Sequence, residues 1–148
     1  MNDCLACDLT SGRTPLPGGV IHRSSGWTVE HCLGPLGVGT LIVKPERHVV
    51  HVADLRSDDA LTMGRLIHRA TQVVAELCQP EQVYVSLWSH AGGQPGHIHY
   101  VIQPVSAADM ERHGAHGPKL QVAMFTNDSE PDPGLVDDFA KRAREMWD

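Results

Sequence analysis

The chain has 148 residues, of which 41% are hydrophobic and 20% charged; this excludes a disordered composition and leaves enough apolar mass for a buried core. Its formal net charge of −6 excludes a generic nucleic-acid binder, which needs clustered Lys and Arg, but not a protein that holds a small anion on backbone N–H groups and histidines. No apolar run approaches the ~20 residues of a membrane helix, and Met1, Asn2, Asp3 and Cys4 lack the basic-then-apolar pattern of a signal peptide, so a cytoplasmic location is expected.

The first elements read as follows. Residues 1–18 are polar and turn-rich and contain Cys4 and Cys7 in a CxxC pair. Two thiolates at that spacing chelate a metal ion or form a redox pair. A redox role needs a strand-to-helix junction, which this segment lacks. Val20 to His22 and the alternating run Trp27 to Cys32 read as strands. Gly34, Pro35, Gly37 and Gly39 mark a loop. Thr40 to Lys44 reads as a buried strand stopped by Pro45. His48 follows directly on a proline-stiffened turn, with His51 as an alternative ligand at the same place; an ordinary exposed loop histidine is the competing reading. Cys32 and Cys78 read as small buried hydrophobes.

Ser57 is expected to cap a long helix, with Asp58 and Asp59 complementing its dipole. Met63, Leu66, Ile67, Ala70, Val73, Val74 and Leu77 recur at three and four, so one face packs on a sheet; Pro80 ends it. Val83 to Trp88 and His97 to Val105 read as an antiparallel hairpin across a Gly-rich connection, Ser89 to Gly96. Such a connection lets backbone N–H groups approach an anion, although an ordinary hairpin loop fits as well. Residues 106–118 are polar and start helical, 127–133 form a loop, and Gly134 to Trp147 form a terminal helix. The order of elements predicts an α+β fold with a mainly antiparallel sheet.

Within the last strand, His97, His99, Val101 and Gln103 share one face by period two. Two imidazoles on a rigid strand face suit a metal, a phosphoryl-transfer centre, or both; two solvated histidines are the plain alternative. The chain carries 10 histidines in all.

The order CxxC, a strand ending in Pro-x-x-His, a long helix, then Ala-Gly-Gly-Gln ahead of His-x-His and a proline resembles the histidine-triad (HIT) superfamily of nucleotide hydrolases and transferases. It is most similar to the zinc-containing members, which include galactose-1-phosphate uridylyltransferase. The resemblance covers about residues 3–105, with 106–148 as an extension of the same domain. With His97 in the first triad position, Pro104 falls seven residues later and Gln94 three before. His99 then takes the nucleophilic middle position.

The resemblance implies several expectations. The fold is a sheet of about five strands against one long helix plus a C-terminal helix. Cys4, Cys7, His48 and His97 form a closed Cys₂His₂ site for a structural zinc ion. A nucleotide-type substrate forms a covalent nucleotidyl-histidine at His99, with Gln94, Gly93 and Gln103 as substrate-binding residues. A nucleotide-binding protein with little catalysis is the alternative. The expected partners are a nucleotide and a second copy of the chain in a homodimer, with no nucleic acid and no membrane. Two positions depart from the pattern. Val101 stands where the third histidine falls and cannot donate to a phosphate oxygen. Cys32 and Gly34 stand where an acidic residue and an asparagine commonly serve ribose recognition.

Overall fold

A computed structural model describes residues 3–147. Five strands build one sheet: β1 (Val20–Ser24), β2 (Trp27–His31), β3 (Leu41–Pro45), β4 (Gln82–Ala91) and β5 (Gln94–Val105). Their order is β1-β2-β3-β5-β4, and every neighbouring pair is antiparallel. The helices are α1 (Leu5–Ser11), α2 (Ser57–Cys78), α3 (Ala107–His113), α4 (Pro118–Asn127) and α5 (Pro133–Trp147). This is the expected α+β architecture. Among the described residues no helix is long and apolar enough to cross a membrane.

The period-two alternation of β2 and β3 divides the core into two layers. Trp27, Val29, Leu41, Val43 and Ile102 face one side, where they meet Leu66, Ala70, Val73 and Val74 of α2 and Phe139, Ala140 and Ala143 of α5. Those α2 positions recur at four, seven and eight, so one helical stripe lies on the sheet. The opposite face carries Cys32, Ile42, Val101 and Val105, and Leu120 and Met124 of α4 cover part of it. β2 and β3 are consequently buried on both faces, and all ten of their residues are buried. The α2 crossover returns the chain over β5, so β4 runs parallel to β3 with β5 between them.

Several boundaries differ from the sequence expectation. The N-terminal segment is not a loose coil: Cys4 caps α1, its sulfur accepting from the Cys7 N–H at 3.5 Å. Ser57 is the first residue of α2 and Arg56 occupies the cap; Asp59 accepts from the Arg56 backbone N–H at 3.2 Å. The helix ends at Cys78, and Gln79, which caps it, adopts φ 46° just before Pro80. α4 covers the second sheet face; its weak amphipathicity gives little periodic signal, with Val122 and Phe125 exposed beside buried Leu120 and Met124. The Gly-rich connection is much tighter than a loop of eight residues. β4 and β5 extend to Ala91 and Gln94, and Gly92 and Gly93, both at positive φ, make a two-residue turn.

Gly39 fixes the turn between β2 and β3. Its N–H donates to His31 Nε2 at 2.8 Å, and His31 Nδ1–H donates to the Cys32 carbonyl at 2.8 Å. Burial holds the His31 pKa below the ordinary imidazole value, so the ring is neutral in this tautomer. Gly39 sits at φ 96°, and a Cβ there would lie 2.6 Å from Cys78 Sγ. Gly39→Ala is expected to cost about 2 kcal/mol or more of folding stability from backbone strain plus overpacking; a denaturation midpoint unchanged from wild type would contradict this.

Candidate functional site

Four ligand atoms converge where α1 meets the sheet. The Sγ atoms of Cys4 and Cys7 and one ring nitrogen each of His48 and His97 lie within 4.8 Å of one another. Cys4 Sγ is 3.6 Å from His97 Nδ1, and Cys7 Sγ is 3.5 Å from both His97 Nδ1 and His48 Nδ1. These separations can be compared with a tetrahedron. Zinc–sulfur bonds near 2.3 Å and zinc–nitrogen bonds near 2.0–2.1 Å place S and N about 3.6 Å apart. The donor set therefore fits a four-coordinate zinc ion in both chemistry and spacing.

Local structure explains the convergence. The first turn of α1 brings Cys7 back over Cys4. The Pro45 turn aims His48 at the same point, and β5 delivers His97 from across the sheet. His97 Nε2–H donates to the Pro45 carbonyl at 2.7 Å, which leaves Nδ1 as the unprotonated nitrogen facing the sulfurs. Burial lowers the His97 pKa to about 4, so the ring is neutral at neutral pH. Burial and the adjacent Cys4 raise the Cys7 pKa to about 11, so the thiolate needs a cation to form. His51 stands outside this cluster.

His99 lies two residues along β5 on the same face, half-buried. Its Nδ1–H donates to the His97 carbonyl at 3.0 Å, which directs the Nε2 lone pair away from the strand. Burial lowers its pKa, which favours the neutral, nucleophilic ring. A cavity of about 730 Å³ opens over this face, lined by His97, His99, Glu30, Lys44, Ile42 and Trp88 among others. Trp88 is the cross-strand partner of His99.

The structure brings His99 and the four Cys and His residues together and sets the other expected site residues apart. Gly93 and Gln94 stand exposed at the β4–β5 turn, outside the cavity lining, because the two-residue turn carries them beyond the sheet. Gln103 is buried in a side-chain network. Its Nε2 donates to the Leu36 carbonyl at 3.2 Å and its Oε1 accepts from Gln121 Nε2 at 3.1 Å. Val101 packs between Ile42 and α4 in the second core layer. Cys32 is buried and accepts from the Gly34 N–H at 3.3 Å; burial pushes its thiol up to about 11.

Two cavity residues escaped the sequence reading. Lys44 Nζ donates to Glu30 Oε1 at 2.7 Å and to the Ala6 carbonyl at 2.9 Å, and both side chains are almost fully buried. The signal was parity: Glu30 pairs with Ile42 across β2 and β3, which puts Glu30 and Lys44 on the face of His99.

No sequence-family model and no curated protein matches the chain. Solved structures do. A HIT-like protein involved in cell-cycle regulation from Bartonella henselae superposes with a TM-score of 0.74 at 15% identity, covering 98% of this chain and 96% of that one. A Zn-bound histidine triad family protein from Mycobacterium smegmatis gives 0.68 at 17% identity, covering 97% and 94%. A hypothetical histidine triad nucleotide-binding protein from Sulfolobus tokodaii gives 0.71 at 14% identity, covering 96% and 90%. At these identities the likeness establishes the fold, which is HIT-like.

A chain folded around such a cluster should hold one divalent ion. Cys4→Ser and Cys7→Ser are each expected to lower the metal content by at least half and the Tm by several degrees, whereas Cys78→Ser should leave the metal content unchanged. Elemental analysis with thermal denaturation checks both; full metal retention in both variants would break the assignment.

Proposed function

We propose that the protein is a HIT-like nucleotidyl hydrolase or transferase of the zinc-containing type, with residues 3–105 as the working core and 106–148 as an extension of the same domain. The observation that carries this is the state of His99: a ring whose pKa is lowered by burial, hydrogen-bonded through Nδ1 to a backbone carbonyl and lining a cavity, which leaves Nε2 as its free nitrogen. That is what an imidazole nucleophile requires. The histidine-triad likeness of the fold neighbours supports the same reading.

In this scheme His99 Nε2 attacks the α-phosphorus of a nucleotide ester or anhydride. A P–N bond forms, the P–O bond to the leaving group breaks, and the leaving group departs as an oxyanion. Water, which gives up one proton to the solvent, or a second phosphate then attacks the phosphorus, the P–N bond breaks with its electron pair returning to Nε2, and His99 returns to its neutral state. Cys4, Cys7, His48 and His97 would hold zinc, whose role when bound is to fix α1 and the Pro45 turn to β5. His97 contributes through its carbonyl, which holds the His99 tautomer, and is therefore a positioning residue.

The second reading, a nucleotide- or phosphate-binding protein with little turnover, is favoured by Val101. An apolar side chain at the third triad position supplies no donor to a phosphate oxygen, and transition-state charge is left to other groups. The two readings part experimentally. Incubation with a dinucleoside polyphosphate followed by rapid quench and peptide mass spectrometry should give a nucleotidyl adduct on His99. His99→Ala should lower turnover by about 10³-fold or more while leaving fold and zinc content unchanged. Thermal stabilisation by nucleotides with no adduct and no turnover would select the binding reading.

The proposal includes a homodimer. β4 is an edge strand of ten residues, and Val85 and Leu87 on it are 46% and 40% exposed, an open strand edge with an apolar strip suited to a second copy. Leu87→Lys is expected to shift the protein from dimer to monomer in sedimentation velocity; a wild-type chain already monomeric at micromolar concentration would remove the dimer from the account.

A further inference from the structure

The cavity floor beyond His99 is polar in one place. Glu30 and Lys44 are 3% and 1% exposed and lie on the cavity face of β2 and β3. Two of the three N–H groups of Lys44 are spent on Glu30 Oε1 and the Ala6 carbonyl. Glu30 Oε2 is buried and makes no hydrogen bond. A buried carboxylate oxygen without a donor is costly, and a ligand that brings a donor relieves that cost.

Its position limits which part of a ligand it can meet. Glu30, Ile42 and Val101 form one cross-strand row, and His99 is two residues further along β5. Glu30 is therefore two strands, roughly 10 Å, sideways from β5 and roughly 7 Å along it from His99. A nucleotide with its phosphorus at His99 reaches Glu30 with the far edge of its base, beyond the ribose. Of the donors on base edges, an exocyclic amine projects toward a single carboxylate oxygen without interference. The ring N–H of uracil is flanked on both sides by carbonyl oxygens that repel the carboxylate.

We propose that Glu30 is a specificity-determining residue whose Oε2 accepts a hydrogen bond from the exocyclic amine of a nucleobase. The inference rests on the nucleotide reading of the His99 site. Glu30→Gln tests it sharply. Lys44 requires an acceptor, so the Gln carbonyl stays on Lys44 and the amide NH₂ takes the place of Oε2. An acceptor becomes a donor there, facing the amine.

The experiment is calorimetric titration of the zinc-replete full chain with matched pairs: AMP against purine riboside 5′-monophosphate, CMP against its 4-deamino analogue, and GMP against IMP. In wild type the amine-bearing member of at least one pair should bind about tenfold or more tightly. In Glu30→Gln that gap should fall to within about threefold. Glu30→Asp, which keeps the charge beside Lys44 but withdraws the carboxylate by one methylene, carries the same expectation and serves if the Gln variant fails to fold. Tight binding of both members with equal affinity in wild type, or a gap that persists in the folded variants, overturns the role of Glu30 while leaving the nucleotide reading intact. No binding of any of the six by wild type removes the nucleotide reading, and this inference with it.

Discussion

The junction between α1 and the sheet is the constraint on which the site depends. α1 has seven residues, of which Leu9 alone is buried, and an isolated helix of that length does not hold itself together in water. Its anchors to the sheet are few and polar: the Cys4 and Cys7 sulfurs against His97 and His48, the Ala6 carbonyl on Lys44, and the Thr10 carbonyl on Arg23. The sulfur–imidazole contacts at 3.5–3.6 Å are weak as hydrogen bonds but match the edges of a metal tetrahedron. With an ion among them, these three weak contacts would give way to four coordinate bonds, one from each donor, and the short helix would be fastened as one wall of the cavity.

His97 links this junction to the chemistry. Its ring is held on both sides, by the cluster at Nδ1 and by the Pro45 carbonyl at Nε2, and its own carbonyl accepts from His99. One residue thereby joins the anchor and the proposed nucleophile. The buried Glu30 and Lys44 pair adds a second polar element on the same face. Burial pushes the Glu30 carboxyl up and Lys44 pulls it down, an opposition that a plain apolar pair of similar volume would avoid. Polar groups kept at such a cost beside a cavity are more easily explained by recognition than by packing.

The sheet was legible because its strands are short apolar or alternating runs punctuated by Gly and Pro, and α2 because seven apolar residues keep helical spacing. The four cluster residues were legible as a set from their types and order, although no single one was informative alone. Other features were not legible. α1 escaped because a seven-residue helix has too few turns for a periodic signal and takes its stability from tertiary anchors. α4 escaped because exposed Val122 and Phe125 blur its buried stripe. The roles expected of Gly93 and Gln94 depended on loop length, and two extra rungs of β4–β5 pairing, invisible in composition, shortened that loop to a turn. Gln103 shares the face of His99 as period two requires, but α4 closes over it and draws it into a network with Gln121.

The proposed site needs the ring of residue 97 committed to an ion while that of residue 99 is held in one tautomer with Nε2 available. Long-range ¹H–¹⁵N correlation spectra of the histidine rings, recorded on metal-depleted and zinc-titrated protein, read this directly. The account predicts that zinc moves the Nδ1 resonances of residues 97 and 48 into the coordinated range with Nε2 protonated, while residue 99 shows a protonated Nδ1 and a bare Nε2. A ring at 97 that does not respond to zinc, or a ring at 99 protonated at Nε2, would contradict it.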